Sequence, residues 1–159
     1  MRISFMGKGG SGKTTLAAAF TKYLAYHHDS VLAVDGDVNV HLSQSLGMDE
    51  VPLSSKEHEI FEYFEGYRDT PIIGSTPPTS KSTFVTPDPD DPFLKKYSTY
   101  KDGINLLTVG TYQEEDIGFS CYHGKLGVAE MFFHHLLDTD EDFVVSDFTA
   151  GIDSLGTSM

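Results

Sequence analysis

A chain of 159 residues, 39% of them apolar, has room for one buried core and little room for two. Eleven Lys and Arg against 24 Asp and Glu leave a net charge of −13, which disfavours nucleic acid and anionic membranes as broad partners. No apolar run approaches the roughly 20 residues of a membrane span, MRISFMGKGG carries no signal-peptide core, and one cysteine forbids an intrachain disulfide, so a cytoplasmic setting is the expectation.

Arg2–Met6 (RISFM) is a short β-prone run that stops at glycine and reads as a buried strand. Gly7–Gly12 is a glycine-rich loop, and Lys13 to His28 reads as a helix with Leu16, Phe20, Tyr23 and Leu24 on one face. Val31–Asp35 (VLAVD) is a second buried strand. Ser54–Tyr67 reads as a helix opened by a Ser54/Glu57 capping box, with an apolar stripe of Ile60, Phe61, Phe64 and Tyr67. Six of the seven prolines lie between Pro71 and Pro92, so residues 71–102 read as a Pro-rich surface insertion unable to sustain a helix or central strand. Ile104–Val109 is a third strand, Val128–Leu137 a helix, and Phe143–Asp147 (FVVSD) a fourth strand. The adjacent pairs His27–His28 and His134–His135 read as surface or boundary residues. Strands alternating with helices predict a doubly wound α/β domain, three layers deep, over a parallel sheet.

Gly7-Lys8-Gly9-Gly10-Ser11-Gly12-Lys13-Thr14 satisfies the G-x-x-x-x-G-K-[ST] phosphate-loop pattern, between a strand and a helix. Glycines let the backbone turn its N–H groups inward around an anion, and the helix N-terminus adds its positive dipole end. Lys13 supplies charge for β- and γ-phosphates, Thr14 an Mg²⁺ ligand and Thr15 a donor for the α-phosphate. Residues 1–28 hold Arg2, Lys8, Lys13 and Lys22 and no acid, so an anion is drawn to this end of an otherwise acidic chain.

The form K-G-G-x-G-K-T, with Lys8 early in the loop, resembles the deviant Walker A ATPases of the MinD/ParA/CobQ group. That group includes the nitrogenase iron protein and the nickel-insertion ATPases that mature carbon monoxide dehydrogenase. The resemblance implies that ATP and Mg²⁺ bind, and that Lys8 reaches the partner's phosphates in a nucleotide-dependent homodimer, as an arginine finger does. It places switch I at Asp35-Gly36-Asp37-Val38-Asn39, with Asp37 orienting or activating the attacking water and Asp35 helping position Mg²⁺ or the switch. Asp147 falls at the Walker B position as an Mg²⁺ ligand, and Asp147-Phe148-Thr149-Ala150-Gly151 resembles switch II, whose Gly151 senses the γ-phosphate. Cys121 and His123 fall where relatives carry metal-binding cysteines. Two copies would offer two Cys and two His, a set suited to Zn or Ni at a dimer interface, against the plainer reading of a small residue packed at a helix start.

By the same resemblance the phosphate-loop strand lies centrally, beside Phe143–Asp147, and strands on its other side would come later than Met159. The 159-residue domain then lacks the C-terminal strands of the full family domain together with the site for the nucleotide base. Three functional readings follow: an Mg²⁺-dependent ATPase acting as a dimeric switch for a protein partner or metal centre, a nucleotide-binding or regulatory protein without turnover, and a metallochaperone using Cys121 and His123.

Overall fold

The computed structural model describes residues 1–37, 39–65, 77–110 and 122–148, less the side chains of Glu65 and residues 122–126. Five strands form one sheet: β1 (Arg2–Phe5), β2 (Val31–Gly36), β3 (Thr99–Lys101), β4 (Ile104–Thr108) and β5 (Val144–Phe148). Their order is β1-β5-β2-β4-β3. Every neighbouring pair is parallel except β3 with β4. That pair is a hairpin turned at Asp102 (φ 50°) and Gly103 (φ 82°), the two left-handed residues a tight hairpin needs.

Strands β2, β4 and β5 are buried on both faces because helices cover both. Val31, Ala33, Ile104, Leu106 and Val145 pack under α1 (Lys13–His27) and α2 (His41–Leu46). Leu32, Val34, Leu107 and Val144 pack under α3 (Glu57–Glu65), α4 (Pro92–Tyr97) and α5 (Tyr122–His135). The result is the expected three-layer α/β/α arrangement over a mostly parallel sheet.

Several local expectations differ from the structure. The buried face of α1 is Ala17, Ala18, Thr21 and Leu24. Leu16 and Tyr23 stand 60% and 58% exposed. Small residues let α1 sit close to sheet and α2, and the larger ones turn toward the β1 flank, where Phe20 meets Phe5 at 6.2 Å. Among the described residues β1 pairs only with β5, so its other edge carries no strand.

The helix expected from Ser54 is preceded by a different start. Ser54 lies inside a 3-10 turn, Leu53–Lys56, whose cap Pro52 makes no side-chain hydrogen bond. Ile60 and Phe64 are fully buried, as the stripe required, whereas Tyr67 lies outside the described residues.

In the Pro-rich stretch the described part, 77–102, contains both a helix and a strand. Pro92 occupies the first turn of α4, where its missing N–H costs nothing, and the Asp91 carboxylate caps the helix by accepting from Phe93 N at 2.8 Å. Val85 is fully buried and bonds both ways with the end of α5, through His135 O and Leu137 N. His135 is therefore no surface residue. It is fully buried, its Nδ1 is 2.7 Å from Met131 O, and its ring stacks on Phe64 at 4.7 Å.

Candidate functional site

The carboxyl ends of three adjacent parallel strands meet in one row. Phe5 is registered with Asp147, and Asp147 with Asp35. Residues paired this way project to the same face, here the face covered by α1 and α2. Open α/β sheets bind ligands just beyond such strand ends.

The phosphate loop leaves β1 at this row. Gly10 and Gly12 adopt φ of 76° and 87°, values that a side chain resists, and Gly12 hands directly into α1. The loop closes through Ser11 N on Lys8 O at 3.2 Å, and Leu16 N on Gly12 O at 3.0 Å starts the helix ladder. The Lys13 side chain folds back over the loop, its Cδ 3.8 Å from where a Cβ on Gly7 would stand. Lys8, Gly9 and Ser11 are exposed, and Thr14 is half-buried.

Asp35 and Asp37 take separate tasks. Asp35 is fully buried and spends both oxygens on backbone amides: Oδ1 accepts from Asp37 N at 3.3 Å, Oδ2 from Leu42 N at 2.9 Å and Ser43 N at 3.4 Å. It anchors the first turn of α2. Burial pushes its carboxyl up to about 7, against the pull of those amides. Asp37 is nearly buried, and its Oδ1 accepts from both the backbone N and Nδ2 of Asn39, at 3.0 and 3.1 Å.

Asp147 is fully buried, and among the described residues neither carboxylate oxygen has a hydrogen-bond partner. Burial raises its pKa. The Thr14 hydroxyl and Lys13 ammonium pull it back down without a bond of good geometry, Asp37 adds to the rise and His41 opposes it. A buried carboxylate orphaned on both oxygens is costly unless a cation or ordered water completes it. A hard divalent cation fits: Mg²⁺ takes one or two protein oxygens and draws its remaining ligands from water and phosphate. Asp147 and the Thr14 hydroxyl are the residues that would hold it.

A groove of about 480 Å³ runs along the loop. One wall is Gly10, Gly12, Lys13, Thr14 and Thr15; the other is His41, Gln44 and Ser45 of α2. The sequence reading missed α2 and with it the second wall. The available signal was Leu42 and Leu46 at helical spacing, followed by Gly47, which ends the helix in a left-handed conformation with Met48 N on Ser43 O at 3.0 Å. Val38, Cys121 and Gly151 lie outside the described residues, as does the side chain of His123. Among the described residues no group of three or more His, Cys, Asp or Glu is arranged to hold a metal.

A family model for the CobQ/CobB/MinD/ParA nucleotide-binding domain (CbiA) matches residues 4–158. The chain belongs to this family. The matched residues include the phosphate loop and the row of strand ends described above. Two curated relatives are uncharacterized ATP-binding proteins of Methanocaldococcus jannaschii, 32% and 31% identical over 98% of this chain. A third is the carbon monoxide dehydrogenase accessory protein CooC of Rhodospirillum rubrum, 27% identical over 98% of the chain. The chain spans 57–61% of the length of these relatives. The family is one of nucleotide-binding domains, and no helix among the described residues of this chain is long and apolar enough to cross a membrane.

Proposed function

We propose that the chain is an Mg²⁺-dependent ATPase whose nucleotide cycle opens and closes a homodimer on behalf of a protein partner or metal centre in the cytoplasm. The orphaned Asp147 carboxylate beside Thr14 and Lys13, at the mouth of a phosphate loop, carries this reading. Loop amides and Lys13 hold the phosphates, and Thr15 reaches the α-phosphate. Bound Mg²⁺ would neutralise phosphate charge between Thr14 and Asp147. Asn39 engages only Oδ1 of Asp37 among the described residues, which leaves Oδ2 for a hydrogen bond from the attacking water. Lys8 is exposed, and in the proposed dimer it would offer its charge to a second copy's phosphates, where negative charge grows as the terminal phosphoryl departs.

Phosphate release by the parent chain and by Lys8→Ala and Asp37→Ala tests this reading. Turnover lost in either variant, with nucleotide still bound, supports it. A parent chain that binds nucleotide without turnover supports the regulatory alternative. The CooC relative is named for carbon monoxide dehydrogenase maturation and motivates a narrower proposal, a shared Zn or Ni site at Cys121 and His123. Metal bound stoichiometrically by the parent and lost in Cys121→Ser supports it; metal-free protein removes it.

A further inference from the structure

We propose that His41 and Gln44 contact the terminal phosphate of the bound nucleotide, so that α2 as well as the phosphate loop distinguishes a nucleoside triphosphate from a diphosphate. This rests on the nucleotide reading above and extends it to two residues outside the phosphate-loop and switch motifs. Three observations converge on the assignment.

The lining of the groove is the first. In a chain of net charge −13, none of the eight residues lining it is acidic. Lysine, threonine, serine, glutamine and histidine side chains and glycine amides all donate hydrogen bonds, and such a lining suits an anion. His41 and Gln44 are three positions apart on α2 and therefore share one helix face. Both are exposed, and among the described residues neither side chain is committed to a hydrogen bond.

The second is the way α2 is held. Six residues are too few for a helix to persist unaided. Asp35 accepts from two amides at its start. At its end Lys22 Nζ donates to Ser45 O at 2.7 Å and Lys101 Nζ to Gly47 O at 2.8 Å. Tethered at both ends, the helix presents the His41 and Gln44 donors from a fixed place, so little freedom is lost when they meet a ligand.

The third is position along the groove. His41 shares it with Lys13 and Thr14, which serve the β/γ end of a nucleotide in this type of loop. His41 is also near enough to Asp147 for its charge to act on that carboxylate. An imidazole N–H there faces the phosphate that a diphosphate lacks.

The test is calorimetric titration of the chain with a non-hydrolysable ATP analogue and with ADP, each with Mg²⁺. The proteins are the parent, His41→Ala, Gln44→Ala, Gln44→Glu and, as control, His58→Ala on the exposed side of α3. Loss of one hydrogen bond to a charged phosphate is expected to weaken the analogue about tenfold in each alanine variant while ADP moves less than about twofold. Gln44→Glu keeps the shape, adds like charge and is expected to cost the analogue more than Gln44→Ala does. Equal losses for both nucleotides, or none, overturn the assignment and leave the nucleotide reading standing. A parent chain that binds neither nucleotide overturns both.

Discussion

A single methyl group placed on Gly36 tests whether β5 and switch I are packed as tightly as the structure has them. A Cβ at this position would lie 2.5 and 2.7 Å from Cδ1 and Cε1 of Phe148, its register partner on β5. Carbon atoms pack comfortably at about 3.5–4 Å, so the ring must retreat by roughly an ångström. Little space receives it: Phe148 is 1% exposed and its ring stands 5.9 Å from that of Phe133. Overpacking of this kind costs about 1–3 kcal/mol. The lost freedom of the unfolded chain returns about 0.5–1 kcal/mol of it. Gly36→Ala is therefore expected to destabilise the chain by ~1–2 kcal/mol. Phe148→Leu alone forfeits buried area and costs a similar amount. The two together are expected to cost less than their sum, with a coupling of at least ~1 kcal/mol. Urea unfolding of the four proteins measures it. Additivity within about 0.5 kcal/mol would refute the reasoning, since it would mean that ring and methyl group do not compete for space. Phe148 directly follows Asp147, so Gly36→Ala is also expected to weaken nucleotide binding in the presence of Mg²⁺, and Phe148→Leu to restore part of it.

Three further outcomes are expected. The Asp35 carboxyl is raised from 3.8 to about 7, so in the absence of Mg²⁺ its contribution is fully present below about pH 4 and is lost as pH rises through 7, by at most ~4 kcal/mol; Asp35→Asn is expected to flatten that slope, measured as urea midpoints at about pH 5 and about pH 8. Asp91 caps α4 and also accepts from Thr86 N at 2.9 Å, so Asp91→Ala leaves two amides short and is expected to cost about 2 kcal/mol in denaturant unfolding, whereas a loss below about 0.5 kcal/mol would show that the cap is dispensable. Mg²⁺ is expected to raise the thermal midpoint of the ATP-bound parent above that with ATP alone, and Asp147→Asn to erase the difference; an undiminished Mg²⁺ effect in the variant would place the ion elsewhere.

Elements set by local rules were legible in the sequence. The phosphate loop, the start of α1 and the apolar strands β2, β4 and β5 each announce themselves within a few residues, through glycine spacing or an unbroken apolar run. What failed depended on partners distant in the chain. The buried face of α1 was read correctly at Leu24 but misassigned at Leu16 and Tyr23, where residue size misled, because the closely approaching sheet favours Ala17, Ala18 and Thr21. Pro92 was read as a breaker, yet at a helix's first turn proline assists. His135 looks polar and superficial until Phe64 is stacked on it and the Val85 segment bonded across its backbone.

The candidate site divides along the same line. Sequence alone placed Asp35 and Asp37 together at a strand end and separated their tasks only through the family resemblance. Register separates them: Asp35 lies level with Asp147, on the face where α2 packs, with Oδ2 taken by that helix's amides and Oδ1 by Asp37 N. Asp37, two residues on and past the end of β2, accepts through Oδ1 from the backbone N and Nδ2 of Asn39. Asp147 is the one carboxylate among the described residues left buried and unpaired, with Lys13 and His41 near enough for their charge to act on it. A sheet that brings carboxylates to adjacent strand ends, in a fold that satisfies one of them internally and leaves its neighbour orphaned, bears a desolvation cost that protonation, water or an arriving cation relieves. The helix held by the satisfied aspartate also forms the wall of the groove by which that cation, together with its phosphates, would enter.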